Sequence, residues 1–405
     1  MIRFLHTADI QLGMKANDAT EVGERLRDAR FETLKVCVDL ARSEQVDFVV
    51  ITGDLFESNQ VSALTVSRAV QALQHADPIP IYVLPGNHDW LDAGSVYEGS
   101  DFAPNTARNI VVLREREPMV IGEECIVYPC PLTKRWDLAD PTDWIPGRDD
   151  EDSIRIGIAH GSLPVPDKER EFPIEADTPQ RKGLDYLALG DWHGMRIYES
   201  NRLAYAGTPE QTSFGEERAG HVLLVAIDQA GQPPQIEARQ VGRLSWLTWE
   251  REVSASAVEC LASLRDEIEG MADGPSTLLR LTLTGAVRSD ELPLVDQFET
   301  WLQARCDNQQ LLYAELRDKV RTTEALEGAL RELSESDSVI AGSAADLRGM
   351  AAVDDGRDEG VADVTPRGTD ELITTWTRTD PGEQEMSVVS RDALKLLAKL
   401  VGEVS

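Results

Sequence analysis

Lysine is scarce in this chain. Only eight of its 405 residues are Lys, and 40 basic side chains face 72 acidic ones, for a formal net charge of −32. Such a surplus keeps a protein soluble and disfavours nonspecific attraction to nucleic acid. It excludes a DNA-binding module acting by itself, although cutting DNA stays open if metals neutralise the site or a basic partner holds the substrate. A saline or otherwise charge-selecting cytoplasm is the plain alternative. Long apolar runs are also lacking, which excludes a transmembrane helix, while a hydrophobic content of 41% suffices for a proper core. The opening "MIRFLHTAD" has no basic-then-apolar leader and reads as a strand from residue 2, so a cytoplasmic protein is expected, with no membrane partner. Cysteine is sparse too: Cys37, Cys125, Cys130, Cys260 and Cys306 are odd in number and show no Cys-x-x-Cys spacing. Free, buried thiols are expected rather than disulfides or a zinc site. No internal repeat is visible.

What is present is a regular alternation. Apolar runs over residues 1–243 ("IRFLHT", "DFVVITG", "PIYVLPG", "NIVVL", "CIVYPCPL", "RIGIAHG", "LDYLALG", "LAYAG", "HVLLVAI") predict strands. Amphipathic segments near 20–43 and 61–76 predict helices, with Leu26, Leu34 and Val38 on one face of the first. The pattern is α/β, a sandwich of two mixed β-sheets flanked by helices. Residues 244–333 change rhythm to β-α-β-α-β, a small α+β second domain. From 334 to 371 the composition turns to Ser, Ala, Gly and Asp, with ten acidic residues against three basic ones, which reads as a disordered acidic linker. In 372–405, Ser390 can cap a helix with an apolar stripe of Leu394, Leu397, Leu400 and Val401. That tail is expected to dock onto a partner.

Residues that carry chemistry stand at the ends of these strands. Asp9 and Gln11 follow the first, Asp54 the second, and Asn87, His88 and Asp89 the third. His160 ends another, and Asp191 and His193 end a fifth. Open α/β sheets gather function at the carboxyl edge of their strands, and buried strands hold terminal ligands rigidly. Three carboxylates, two or three imidazoles and two amides without a thiolate suit Mn²⁺ or a similar divalent ion better than structural zinc. Two such ions sharing Asp54 would clamp the attacking and leaving oxygens of a phosphoryl displacement. The remaining histidines read as structural: His6 is expected to pack within its strand, and His75 and His221 belong to no motif. Trp192 and Trp90 could stack on a base, but packing is the expected role; "RDDED" at 148–152 reads as a solvated loop.

The order Asp-x-(His/Gln), Gly-Asp, Gly-Asn-His-Asp, His, Gly-x-x-His resembles the calcineurin-like metallophosphoesterase superfamily. The strings "HTADIQLG", "GDLFES", "PGNHDW" and "YAGTPEQTSFGE" resemble the SbcD-type DNA repair nucleases over about residues 1–225; beyond that only the layout is similar, to the family's capping domain. The resemblance implies a metal-dependent phosphodiesterase acting on DNA ends, with 3′-to-5′ exonuclease and possible endonuclease activity. It would work as a dimer with an SbcC-like coiled-coil ATPase. It implies Asp9, Gln11, Asp54 and His193 around a first metal, and Asp54, Asn87, His160 and Asp191 around a second, with Mn²⁺ as the expected ion. His88 would meet the scissile phosphate, oriented by Asp89, and the backbone near Gly207, Thr208 and Pro209 would border the site. Three residues depart from the pattern: Gln11 and Asp191 stand where His is usual, and Glu57 replaces a His that aids exonucleolytic processing. Since all three can still ligate or carry charge, a retuned site is expected rather than a retired one. The rival readings are a small-nucleotide phosphodiesterase and a catalytically weak scaffold for the ATPase.

Overall fold

The run IRFLHT forms β1 (Ile2–Thr7), and the amphipathic segment after it forms α1 (Glu21–Ser43). The alternation continues through β2 (Phe48–Thr52), α2 (Ala63–Gln74), β3 (Ile81–Leu84) and β4 (Ile110–Val112). A second series comprises β5 (Met119–Ile121), β6 (Cys125–Cys130), β7 (Ile154–His160), α3 (Thr178–Lys182), β8 (Tyr186–Gly190), β9 (Arg196–Ile197) and β10 (Leu203–Tyr205). Then β11 (His221–Ile227) and β12 (Gln235–Gln240) return to the first sheet. This computed structural model describes residues 1–325 apart from 15–20, 100–101, 103–107, 123, 150–151, 165–170, 199, 254–255 and 272. The acidic linker expected over 334–371 and the helix expected in 372–405 lie outside the described residues.

Both six-stranded sheets are mixed, ordered β12-β11-β1-β2-β3-β4 and β5-β6-β7-β8-β10-β9. Their centres are parallel: β1 to β4 run one way in the first, and β6, β7, β8 and β10 in the second. Parallel strands bury both faces, which is why β2, β7 and β8 read as continuous apolar runs and are buried at every position. Phe4, Phe48 and Val50 of one sheet pack with Ile156, Ile158 and Tyr186 of the other, the Phe4 and Phe48 rings stacking at 4.7 Å. On the outer face of the first sheet, Phe31, Leu34 and Val38 of α1 join Val66, Val70 and Leu73 of α2. Ser62 caps α2 by accepting from the Thr65 amide at 3.2 Å, satisfying one of the donors a helix start leaves unpaired.

The chain divides into two compact units, the first being Met1–Leu247 with Pro275–Leu278 and Leu311–Tyr313. The elements of the second are drawn from β13 (Ser245–Val253), α4 (Ala257–Glu269), β14 (Thr277–Val287), α5 (Leu292–Asp307), β15 (Tyr313–Asp318) and β16 (Arg321–Thr322). Leu261, Leu264 and Ile268 of α4 and Val295, Phe298 and Leu302 of α5 are buried, as are Leu279, Leu281 and Leu283 of β14. Among the described residues no helix is long and apolar enough to cross a membrane. All five cysteines are free, and burial pushes the Cys37, Cys125 and Cys130 thiols up to about 12.

Candidate metal centre

Beyond their last residues, β1 and β2 keep pairing. The Asp9 amide donates to Gly53 O at 3.1 Å, Gln11 to Asp54 O at 2.9 Å and Leu12 to Leu55 O at 2.9 Å. This brings the "TADIQLG" and "ITGDLFE" turns side by side. The turns are strained. Asp9 (φ 51°), Gln11 (φ 49°), Asp54 (φ 54°) and Asp191 (φ 104°) all sit at positive φ, four of the nine such non-glycine residues described. Each costs on the order of 1–3 kcal/mol, a cost that folds tolerate mainly at functional sites. Glycine is required beside them: a Cβ on Gly53 (φ 97°) would collide with the His160 imidazole, and one on Gly86 with the Asp54 carboxylate.

The candidate ligands lie close together at these turns. Gln11 Nε2 lies 3.1 Å from His193 Nε2, and the Asp9 carboxylate accepts the Asp191 amide at 3.1 Å. His160 Nε2 lies 3.1 Å from Asn87 Oδ1, 3.6 Å from Asp54 Oδ2 and 4.0 Å from Asp191 Oδ1. Asp9, Asp54 and His160 are buried and offer ligand atoms within 4.8 Å of one another. The seven sequence-predicted ligands therefore gather at the joined carboxyl edges of β1, β2 and β3 in one sheet and β7 and β8 in the other.

The donor set fits divalent cations. His160 Nδ1–H donates to Thr52 O at 2.9 Å, so its Nε2 faces the oxygens of Asn87 and Asp54. Either a proton on Nε2 or a cation between these atoms holds them together. The titration shifts carry the same message. Burial alone would lower His160, but Asp54, Asp9 and Asp191 outweigh it and raise the ring to about 9. Burial lifts Asp9 to about 7, against the pull of His160 and His193. Hard oxygens with borderline imidazoles and no thiolate match Mn²⁺ and its neighbours.

Supports that sequence reasoning missed come from loops. Glu216 Oε1 accepts from His193 Nδ1 at 2.7 Å and from the Thr212 hydroxyl, while its Oε2 accepts the Thr212 amide at 2.7 Å. Burial would raise Glu216, but the hydrogen bonds from His193 and Thr212 outweigh it and hold the carboxyl down at about 2. A carboxylate behind an imidazole fixes its tautomer and ring orientation and leaves the far nitrogen free to ligate. Glu216 lies inside "YAGTPEQTSFGE", so the signal was present but carried no role. Ser162 Oγ donates to Asp191 Oδ2 at 2.5 Å, and the Thr208 amide donates to His193 O at 2.9 Å, which puts the expected bordering segment against the His193 backbone.

The Gln11 side-chain amide lies 3.1 Å from His193 Nε2, and a half-turn of that amide would present its oxygen there, as holding an ion would require. One expectation changes. Asp89 was expected to orient His88. Its carboxylate instead accepts the Gly86 amide at 2.8 Å, the Phe56 amide at 3.0 Å and the Tyr97 hydroxyl at 2.5 Å, fully buried. His88 is held by Glu57, whose carbonyl accepts Nδ1–H at 2.9 Å, and its amide donates to Asp54 Oδ1 at 3.0 Å. Asp89 thus shapes the turn that presents Asn87 and His88. His6 is a core residue, bonded to Tyr186, Thr52 and Leu189, and burial lowers it to about 3.

The family model described as calcineurin-like phosphoesterase matches residues 2–196. The matched stretch is just under half of the chain and takes in β1 to β8. Two solved structures are similar over 59% of the chain. One is TT1561 of Thermus thermophilus, at 12% identity and a TM-score of 0.37 over 99% of that chain. The other is the purple acid phosphatase PPD1 from yellow lupin (Lupinus luteus) seeds, at 16% identity and a TM-score of 0.36 over 51% of that chain. Likeness at this level says nothing about substrate.

Proposed function

We propose that the chain is a metal-dependent DNA nuclease that hydrolyses phosphodiesters at DNA ends, a 3′-to-5′ exonuclease with endonuclease capacity. In this reading it works as a dimer with an SbcC-like coiled-coil ATPase. The observation that carries the hydrolytic part is the convergence of Asp9, Gln11, Asp54, Asn87, His160, Asp191 and His193 at one edge, inside the stretch that matches the calcineurin-like phosphoesterase model. The nuclease part is supported by the SbcD-like strings and by a second unit that a small substrate would not need.

Asp9, Gln11, Asp54 and His193 would hold one divalent ion and Asp54, Asn87, His160 and Asp191 the other, Mn²⁺ first among candidates. When bound, such a pair supplies Lewis acidity to the phosphoryl group and activates the attacking water. His88 is the residue placed to move a proton. Its Nδ1–H is committed to Glu57 O, so Nε2 is the atom left for the substrate, and only the imidazolium form, with a second proton on Nε2, would donate to the leaving oxygen. The half-exposed ring can reach a substrate, whereas Asp89 beside it is sealed in.

The test is cleavage of linear duplex, single-stranded and hairpin DNA with Mn²⁺, with and without the ATPase, against a small phosphodiester. DNA cleavage that fails in EDTA and in Asp54→Asn supports the reading. Hydrolysis confined to the small diester would make the chain a small-nucleotide phosphodiesterase. No hydrolysis of either would leave a scaffold subunit.

A further inference from the structure

Two exposed indoles stand in loops that follow strands of the second sheet. Trp192 is 56% exposed and stands between the candidate ligands Asp191 and His193. Trp136 is 52% exposed and follows β6. In the second sheet β6, β7 and β8 are consecutive parallel neighbours, so their carboxyl ends lie in a row. Trp136 follows the first, His160 ends the second and Trp192 follows the third. The ends of β6 and β8 lie roughly 10 Å apart by the ordinary spacing of two strand intervals, with His160 on the strand between them.

The Trp136 loop is tied to the site on both sides. Leu132 N–H donates to Pro85 O at 3.2 Å, and Leu91 N–H donates to Leu132 O at 2.9 Å, so the loop is joined to the segment carrying Asn87 and His88. Asp137 O accepts the Phe172 amide at 2.9 Å, and Phe172 O accepts the Ser162 amide at 3.2 Å, so it is also joined to the turn after His160. Beside Trp136 stand Lys134 and Arg135, both exposed. Lys134 pairs with Asp137 at 3.0 Å, whereas Arg135 has no ion pair or hydrogen bond described. In a chain carrying −32, Arg135 is a cation without a described ion pair on a loop tied to the hydrolytic site. Trp192 lies across Gly194, where a Cβ would come within 3.1 Å of the indole Nε1.

Resting on the nuclease reading above, we infer that Trp136 and Trp192, with Arg135, form a stacking platform for unpaired bases on either side of the scissile phosphate. The substrate class is then a single-stranded or frayed nucleic acid end. A duplex keeps its bases stacked on one another, whereas an unpaired strand offers each base a free face for an indole and its backbone to Arg135. One platform residue follows each strand flanking β7, so successive bases would straddle His160.

The test measures binding of a fluorescein-labelled oligo(dT) dodecamer by anisotropy, using the full chain with Mn²⁺ in a His88→Ala background. A dodecamer of abasic sugars serves as the control. Trp136→Ala and Trp192→Ala should each weaken oligo(dT) binding about tenfold, within the range of one lost base stack, and leave the abasic strand almost unaffected. Phe at either position should restore most of the affinity. Arg135→Ala should weaken both strands and lower the salt slope by about one. Equal losses on both strands, unchanged oligo(dT) affinity, or no measurable oligo(dT) binding would each overturn the platform. If the unmutated chain cuts no DNA, the nuclease reading fails, and stacking is still judged by this binding series. If it cuts DNA but the Trp variants bind normally, the platform alone fails.

Discussion

Glu216→Gln should loosen the cation held by His193 without unfolding the chain. The carboxylate takes His193 Nδ1–H at 2.7 Å on Oε1 and the Thr212 and Ser213 amides at 2.7 and 3.3 Å on Oε2. An amide can reproduce only one of these faces. If its oxygen keeps the two backbone donors, its NH₂ meets the imidazole Nδ1–H, donor against donor, and His193 must shift its proton to Nε2. That is the nitrogen needed for the metal. If the oxygen turns to the imidazole, the backbone donors of the 212–213 turn lose their acceptor. Outer partners of this kind are worth roughly 10–100-fold in metal affinity, or about 1.4–2.7 kcal/mol. Calorimetric titration with Mn²⁺ should show one of two sites weakened by that factor, with the second within threefold of the unmutated chain. Glu216→Ala should be at least as damaging. Normal affinity at both sites would refute the assignment of His193 as a ligand oriented by Glu216.

Three further outcomes follow from the same geometry. His88→Ala should abolish turnover while metal content, read by atomic emission, stays at its unmutated value; loss of metal would make His88 a ligand. Asp89→Ala strips the acceptor from two amides and the Tyr97 hydroxyl, and at about 1.5–3 kcal/mol for each hydrogen bond to a charged group should destabilise the chain by about 3 kcal/mol or more in urea melts. Full stability with lost turnover would return Asp89 to the role of orienting His88. His6, lowered to about 3 by burial, binds a proton in the unfolded chain before it does so in the folded one. Its contribution is therefore intact above the unfolded value of 6.5 and declines as pH falls toward 3, by about 2 kcal/mol at pH 5. Asp9 and Asp89, raised to about 7 and about 6, run the opposite way in both proteins and cancel in the comparison. The cost of His6→Gln should thus shrink by that amount between pH 7.5 and pH 5; a pH-independent cost would refute it.

The strands that position the site were legible because burial on two faces leaves continuous apolar runs, as in FVVIT, IRIGIAH and YLALG. Three of the four edge strands of the two six-stranded sheets were not, β4 alone having been read from NIVVL. The β12 segment QIEARQ is mostly exposed and polar, β9 spans two residues, and β5 lies at the other end of its sheet. Each is defined by its neighbour's hydrogen bonds, which leave little trace in composition. The ligands were legible for the same reason as the central strands, since each follows one. Glu216 was not, because it comes from a loop that no apolar run announces. Asp89 was misread through adjacency: neighbouring residues in a turn need not share a side, and here His88 faces out while Asp89 faces Tyr97. Gln11 shows a related limit, since a sequence cannot say which end of an amide faces its neighbour.

The most direct measurement is an anomalous difference map from crystals of the full chain soaked in Mn²⁺, beside the same map for Asp54→Asn. The account predicts two peaks, one among Asp9, Gln11 and His193 and the other among Asn87, His160 and Asp191, with Asp54 between them. Both should be weakened in the variant, together with phosphodiester hydrolysis. A single peak, or two peaks that survive Asp54→Asn at full height, would contradict a paired-metal hydrolytic centre bridged by Asp54.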